Sequence, residues 1–287
     1  MGQERKNILI VDDDPEICRL LVRVLAAEDL DLQMCHNGEM AAELLTENRY
    51  DLVLLDLGLP DCNGLDLLER FYRDGAQKFL IITADDTSES LLRAIKEQAY
   101  GYVRKPFDRH EIVNLVQESL EAPNLPPIEV ISGTPEWFEL SVPCSRNAAD
   151  RMQQFMRQME PKLPEEIADP ISQCFRELLM NAVEWGGKLD PSRRVRISYL
   201  RTRRMLLYRI ADPGPGFKFN GLEHAAVGQA VGDVITHTQV REEKGIRPGG
   251  FGLLMVRAMC DELVYNEKQN EVVFIKYLDS QKVDRAM

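Results

Sequence analysis

Two short apolar segments of this sequence each end in carboxylates. Asn7–Val11 has the sequence NILIV and is followed at once by Asp12–Asp14, after which Pro15–Leu25 carries apolar residues at helical spacing. Asp51–Leu57, DLVLLDL, has Asp56 near its end. Short apolar segments are typical of buried strands, and strands that alternate with helical patterns indicate a parallel sheet. The first half of the chain is therefore predicted to be a doubly wound α/β domain.

Two further predicted strands also lead to polar residues. Phe79–Thr83 ends in a hydroxyl, and Tyr100–Val103 is followed closely by Lys105. Ligands bind at the carboxyl ends of the strands in sheets of this type. The candidate site residues of the first half are therefore expected to meet at one edge of the sheet: Asp12, Asp13, Asp56, Thr83 and Lys105.

These residue types indicate phosphoryl chemistry. Clustered carboxylates repel one another unless a cation neutralises them, and hard oxygen ligands suit Mg²⁺. A carboxylate beside bound Mg²⁺ can attack phosphorus and become an aspartyl phosphate, while a hydroxyl and an ammonium hold the phosphoryl oxygens. A purely structural role would crowd these charges without compensation, so we favour a phosphorylation site.

Residues 6–120 resemble the receiver domain of bacterial two-component response regulators along their whole length. The resemblance implies that Asp56 accepts a phosphoryl group from a sensor histidine kinase and that the Lys105–Pro106 bond is cis. The other implied roles are Mg²⁺ ligation for Asp12 and Asp13 together with Asp56, contact with the phosphoryl group for Thr83 and Lys105, and a conformational switch for Tyr102.

A second chemical pattern lies in Ile171–Gly187, where apolar residues recur at the spacing of a helix. Glu177, Asn181 and Glu184 fall at i, i+4 and i+7, which places them on one stripe of that helix. Taken alone, the stripe is equally consistent with a solvated face.

Two glycine-rich segments downstream favour a ligand site. Asp212–Phe217 is DPGPGF, and Arg247–Leu253 is RPGGFGL and begins another predicted helix. Glycines let the backbone approach phosphates, and helix N-termini favour anions. The ordered set of helix and two glycine segments resembles the nucleotide site of the GHKL ATPases. Residues of about 138–278 resemble the anti-sigma-factor serine kinases more than the sensor kinases.

That second resemblance implies ATP and Mg²⁺ as ligands. It makes Glu177 the general base that activates a hydroxyl or water for attack on the γ-phosphate. Trp185 departs from the pattern, because the family commonly has His there and an indole cannot exchange protons. The other implied roles are Mg²⁺ binding by Asn181, recognition of the adenine amino group by Asp212, and shaping of the adenine and phosphate walls by Gly214, Gly216, Gly250 and Gly252.

The remaining segments of the second half predict an α+β two-layer sandwich, because helices and antiparallel strands are segregated along the chain. A Met-rich helix at Asn147–Met159 is interpreted as core rather than as an adaptable partner surface. The predicted strands are Phe138–Val142 at an edge, Arg194–Leu200 and Met205–Ala211 as a hairpin, and Glu262–Glu267 with Glu271–Leu278 as a last antiparallel pair.

These patterns divide the chain into a receiver domain at residues 1–121, a linker at 122–137 and an ATPase domain at 138–287. Five of the 15 prolines fall within Glu121–Pro143, which predicts a semi-rigid connector. The stretch between Phe217 and Arg247 has weak periodicity, and we interpret it as a lid over the nucleotide site.

Charge and composition restrict the function classes. The net charge is −12, with 24 acidic against 13 basic residues in positions 1–120 and 23 against 22 in the rest. Neither half is basic enough for a nucleic-acid-binding module, and no apolar run reaches the ~18 residues that span a bilayer. Six scattered cysteines are interpreted as reduced thiols. We expect a cytoplasmic protein that does not bind DNA directly.

The leading hypothesis is a response regulator whose phosphorylation controls a serine/threonine kinase of the anti-sigma type. Its expected targets are a STAS-domain antagonist and also a sigma factor. The alternative is a partner-sequestering module in which ATP is structural or absent, and Trp185 keeps that alternative open. The sequence leaves open a homodimer, the cognate sensor kinase and the sign of regulation.

Overall fold

The computed structural model describes residues 5–26, 30–72, 77–123, 126–160, 162–216 and 252–279. The chain divides into two units. The first comprises Met1–Ile128 with Gln154–Pro161, and the second comprises Glu129–Gln153 with Lys162–Met287. No helix within the described ranges is long and apolar enough to cross a membrane.

The first unit contains a five-stranded parallel sheet in the order β2-β1-β3-β4-β5. Helices alternate with the strands, which confirms the predicted doubly wound α/β fold. The elements are β1 Lys6–Val11, α1 Pro15–Leu25, β2 Leu30–Cys35, α2 Gly38–Glu47, β3 Leu52–Leu55, α3 Gly64–Phe71, β4 Lys78–Thr83, α4 Ser88–Lys96, β5 Gly101–Arg104 and α5 Arg109–Glu121.

Side-chain caps define where the helices of the first unit begin. Asp14 accepts a hydrogen bond from the backbone N–H of Glu16, and Pro15 follows as the first helical residue of α1. Asp108 caps α5 in the same way through the backbone N–H of His110. Because the caps follow directly on the strand ends, the polar residues remain at the carboxyl edge of the sheet.

The second unit contains a six-stranded antiparallel sheet in the order β10-β11-β9-β8-β7-β6. Along the chain, helices separate the pair β6–β7 from β8–β9 and the pair β8–β9 from β10–β11. This confirms the predicted α+β class. The elements are β6 Glu129–Thr134, β7 Trp137–Pro143, α6 Arg146–Met159, α7 Glu165–Asn181, a π-helical turn Ala182–Gly186, β8 Arg194–Arg201, β9 Met205–Ala211, α8 Gly252–Met259, β10 Glu262–Tyr265 and β11 Glu271–Tyr277. The residues of α6 from Gln154 onward belong to the first unit.

The predicted apolar faces of α6 and α7 are buried. The Met-rich face of α6 is buried, as the core interpretation predicted. Tyr208 of β9 stacks on Phe274 of β11 and also contacts the ring of Phe175 from α7. Alternate residues of β8 and β9 are buried, so one face of the sheet is covered.

One strand assignment was wrong. We predicted an edge strand at Phe138–Val142, but β7 is an interior strand that pairs with β8 on one side and with β6 on the other. The additional strand, β6, lies inside the segment predicted as linker. Its residues are mostly exposed and include Gly133 with φ of 142°, so it lacks the alternation that marks a half-buried strand.

Candidate phosphorylation and nucleotide sites

The first unit brings three carboxylates together at the carboxyl edge of its sheet. Asp12 and Asp56 are buried, at 2% and 6% exposure, while Asp13 is exposed. One carboxylate oxygen from each of the three lies within 4.8 Å of the others. All available ligand atoms are hard oxygens, so the arrangement fits a Mg²⁺ ion.

The ammonium of Lys105 faces this cluster. Lys105 Nζ donates to Asp12 Oδ2 at 2.6 Å and to Asp56 Oδ2 at 2.7 Å. Burial raises the pKa of Asp12 above its usual value, and the hydrogen bond from Lys105 opposes part of that rise. Burial lowers the pKa of Lys105, but its two carboxylate partners outweigh burial and hold that pKa above its usual value. Three carboxylates against one ammonium leave negative charge that a divalent cation would compensate.

Thr83 and Tyr102 both bind the backbone of Asp85. Thr83 Oγ1 accepts from the Asp85 N–H at 3.2 Å, and the Tyr102 hydroxyl donates to the Asp85 carbonyl at 2.9 Å. Tyr102 is 2% exposed, so its ring points inward. The Lys105–Pro106 bond is cis, as the resemblance implied. The Lys105 N–H donates to the Thr83 carbonyl at 2.8 Å, which links Thr83 to the carboxylate cluster.

In the second unit, the start of α8 lies against the carboxylate of Glu177. A Cβ atom on Gly252, the first residue of α8, would overlap Oε2 of Glu177. Asn181 ends α7 one turn beyond Glu177. The N-terminus of α8 therefore lies beside the Glu177 carboxylate, and helix N-termini favour anions.

The carboxylate of Asp212 is enclosed by two glycines. A Cβ on Gly186 would overlap it, and a Cβ on Gly214 would lie 2.7 Å from its Oδ1. Gly214 also donates its N–H to that Oδ1 at 2.7 Å. Burial raises the pKa of Asp212 above its usual value. Gly216 has φ of 83°, which favours glycine.

Two parts of the predicted nucleotide site lie outside the described residues: Gly250 and the proposed lid between Phe217 and Arg247. The remaining predicted residues occupy three adjoining segments, namely α7 with its π-helical turn, the DPGPG loop and the start of α8. The π-helical turn connects the segments, because it begins directly after Asn181 and ends at Gly186, which packs on Asp212.

The sequence did not predict this π-helical turn. Because the turn interrupts the regular helix before Glu184, this residue does not continue the stripe of Glu177 and Asn181 that we expected. Oε1 of its carboxylate lies 3.5 Å from Arg146 Nη2. Trp185, on the same turn, is 47% exposed. The doublet Gly186-Gly187 was a signal for the end of the helix, but the wider turn has no signature in apolar periodicity. Such turns are frequent at functional sites.

Comparison with known proteins identifies both halves. A response regulator receiver domain matches residues 8–117, and a histidine kinase-like ATPase domain matches residues 144–276. The DNA-binding response regulator MtrA of Mycolicibacterium smegmatis is 32% identical over 187 residues, which is 65% of this chain and 81% of that protein. The regulatory protein VanRB of Enterococcus faecalis is 35% identical over 114 residues, 40% of this chain and 52% of that protein.

Among solved structures, the CheY-like response regulator receiver domain protein from Methanospirillum hungatei JF-1 is 27% identical, with a TM-score of 0.40. That likeness covers 41% of this chain and 95% of the other. The sheet order and the acidic cluster at its carboxyl edge agree with the receiver match, and the second sheet agrees with the ATPase match. The chain therefore belongs to the response regulators, and it joins a receiver domain to a histidine kinase-like ATPase domain.

Proposed function

We propose that this response regulator controls a protein serine/threonine kinase of the anti-sigma type, with phosphorylation of Asp56 as its input. The phosphoryl acceptor would be a STAS-domain protein, and a sigma factor would be a further binding partner. The observation that carries the proposal is the close approach of Gly252, at the start of α8, to the Glu177 carboxylate. A carboxylate beside a phosphate-binding helix terminus is suited to remove a proton from an attacking hydroxyl.

The input step is phosphoryl transfer from a phosphohistidine of the sensor kinase. An oxygen of Asp56 attacks phosphorus, and the bond between phosphorus and the histidine nitrogen breaks as the new O–P bond forms. The Lys105 ammonium, already bound to Asp56, would compensate the charge of the transferred group. Asp12 and Asp13 would hold Mg²⁺ together with Asp56. When bound there, Mg²⁺ supplies positive charge to the phosphoryl oxygens.

The output step is transfer of the γ-phosphoryl group of ATP to a serine or threonine. Glu177 would take the hydroxyl proton as that oxygen attacks phosphorus. The side-chain oxygen of Asn181 would ligate Mg²⁺, and the Asp212 carboxylate would accept a hydrogen bond from the adenine amino group. The glycines beside Asp212 and Glu177 allow these carboxylates to pack directly against the backbone, which fixes where they lie.

The test is a phosphoryl-transfer assay with a STAS-domain substrate, ATP and Mg²⁺. Glu177→Gln should lower transfer by about a hundredfold or more, while ATP affinity changes little. Glu166→Gln removes the same charge from an exposed position in the first turn of α7, and it should retain full transfer. Full activity of Glu177→Gln would contradict the mechanism.

One observation favours a second candidate, a module that sequesters a partner without phosphorylating it. Trp185 is exposed at the position where the resemblance places a histidine, and its indole can donate a hydrogen bond but cannot act as a general acid or base. Partner capture that depends on phosphorylated Asp56, together with undetectable phosphoryl transfer, would support this candidate. Binding of a fluorescent ATP analogue that changes with beryllofluoride would establish coupling between the two sites in either case.

A further inference from the structure

Two donors from outside the DPGPG loop hold the carbonyl groups of three consecutive loop residues. Arg193 Nη2 donates to the Pro213 carbonyl at 2.7 Å. Asn270 Nδ2 donates to the carbonyls of Asp212 and Gly214, at 3.4 and 3.3 Å. We call Arg193 and Asn270 the carbonyl clamp. Neither residue belongs to the glycine motifs that mark the site in the sequence.

The orientation of the Asn270 side chain is set by its own turn. Asn266 Nδ2 donates to Asn270 Oδ1 at 2.9 Å, so the oxygen of the Asn270 amide is occupied and its nitrogen faces the loop. Asn266 Oδ1 also accepts the backbone N–H of Asn270 at 3.1 Å. The Asn270 carbonyl in turn accepts the backbone N–H of Asp212 at 2.9 Å. The β10–β11 turn therefore carries a rigid, correctly oriented donor.

The loop has few hydrogen-bond donors of its own. Pro213 and Pro215 have no backbone N–H, and the N–H of Gly214 is already bound to the Asp212 carboxylate. The two glycines of the loop are conformationally permissive, which lowers its intrinsic order further. A Cβ on Gly216 would overlap the Lys268 carbonyl, so the loop packs backbone to backbone on the same β10–β11 turn. The carbonyl groups of the loop are therefore held by donors from outside it.

We propose that Asn270, assisted by Arg193, is a positioning residue for base recognition. It fixes the Asp212 backbone, and through it the carboxylate that is to accept a hydrogen bond from the exocyclic amino group of a purine. A binding group must be held within about 0.5 Å of its productive position to select one ligand over a close analogue. The inference rests on the proposed function, because it takes Asp212 as the base-reading group.

Asn270→Asp tests the clamp in the full-length protein. The substitution keeps the size of the side chain but replaces the donor with an acceptor that faces two carbonyl oxygens. Dissociation constants are measured for ATP and for inosine triphosphate, in which a carbonyl replaces the amino group. We expect the preference of the wild type for ATP to fall about tenfold in the variant, with the affinity for inosine triphosphate nearly unchanged.

Lys268→Gln is the matched control, since it makes the same change in net charge at an exposed position of the same turn. It should keep the wild-type preference, whereas a nonspecific effect of charge or stability would weaken both nucleotides in both variants. If Asn270→Asp does not fold, Arg193→Met removes the other donor of the clamp and should lower the preference in the same direction. An unchanged preference in a folded clamp variant overturns the inference.

Amide hydrogen exchange at Gly214 separates this inference from the proposed function. If the wild type binds neither nucleotide, the proposed nucleotide site fails, and exchange alone decides the clamp. Faster exchange at Gly214 in Asn270→Asp than in Lys268→Gln then supports Asn270 as the residue that orders the loop. Equal exchange in the two variants overturns it.

Discussion

The first residue of α8, Gly252, touches the carboxylate of Glu177, and no side chain larger than hydrogen fits there without displacing it. The displaced group would be the flexible end of a glutamate, so the steric cost to folding is small. The cost to catalysis would be larger, because a general base that is misplaced by about 1 Å can lose a hundredfold in rate.

Gly252→Ala should therefore lower activity without lowering stability. Alanine favours the helix by up to about 1 kcal/mol over glycine, so the free energy of unfolding should not fall. Phosphoryl transfer, measured as kcat with saturating ATP, should fall by about tenfold to a hundredfold. Gly58→Ala is a control, because a Cβ there meets nothing within 4 Å, and it should leave the kcat of the unphosphorylated protein unchanged.

Replacing Asp12 with asparagine should stabilise the protein at neutral pH while weakening Mg²⁺ binding. The raised pKa of Asp12 means that the folded state disfavours its ionised form relative to the unfolded state. The gain in free energy of unfolding should be present above the folded pKa and disappear as pH falls below about 3.8, where the wild-type carboxyl is also neutral. Urea unfolding at pH 7 and pH 3, with and without Mg²⁺, measures both effects.

The shared contact of Thr83 and Tyr102 with Asp85 predicts energetic coupling. Thr83→Ala and Tyr102→Phe each remove one hydrogen bond to the backbone of Asp85. Loss of the bond from the buried tyrosine hydroxyl should lower the free energy of unfolding by about 1 kcal/mol. Their double variant should depart from additivity by about 0.5 kcal/mol or more in urea unfolding. Thr46→Ala, which removes an exposed bond within α2, should be additive with Tyr102→Phe.

The receiver site could be predicted from the sequence because each of its groups is marked by a local pattern. Asp12, Asp56 and Thr83 each lie at the end of a short apolar strand, and parallel topology brings strand ends together without further information. The edge strand β2 was not predicted, because its exposed residues do not alternate cleanly with buried ones. Its position follows from pairing with β1, which is a tertiary contact.

Of the candidate nucleotide site, only the motifs could be predicted from the sequence. The helix stripe and the glycine segments predicted roles for Glu177, Asn181 and Asp212. The π-helical turn, in contrast, depends on a hydrogen bond from the Gly187 N–H to the Ala182 carbonyl. Such a bond leaves no periodic signal. The carbonyl clamp was also missed, because Asn270 lies 58 residues from Asp212 in sequence and meets it only through the pairing of β9 with β11.

The half-buried carboxylate of Asp212 predicts a pH dependence of nucleotide selection. Burial raises its pKa, while the hydrogen bond from the Gly214 N–H and the nearby Arg193 guanidinium lower it. The thiol of Cys144, whose own pKa burial raises to about 11, stays neutral in this range. An ionised carboxylate accepts a hydrogen bond from an amino group, whereas the protonated form presents a donor. The preference for ATP over inosine triphosphate should therefore fall as pH falls through the folded pKa of Asp212, which lies above 3.8.

Arg193→Met should move that transition to higher pH, because it removes the positive charge that lowers the pKa of Asp212. The measurement is the ratio of the two dissociation constants between pH 4 and pH 8. Protonation of the triphosphate cancels in this ratio because both nucleotides carry it, and protonation of adenine N1, which inosine triphosphate lacks, is corrected for by titrating free ATP. Lys268→Gln, which removes a positive charge from the neighbouring turn without contacting the carboxylate, should leave the midpoint where it is in the wild type. A ratio that is independent of pH in all three proteins would mean that Asp212 does not read the base.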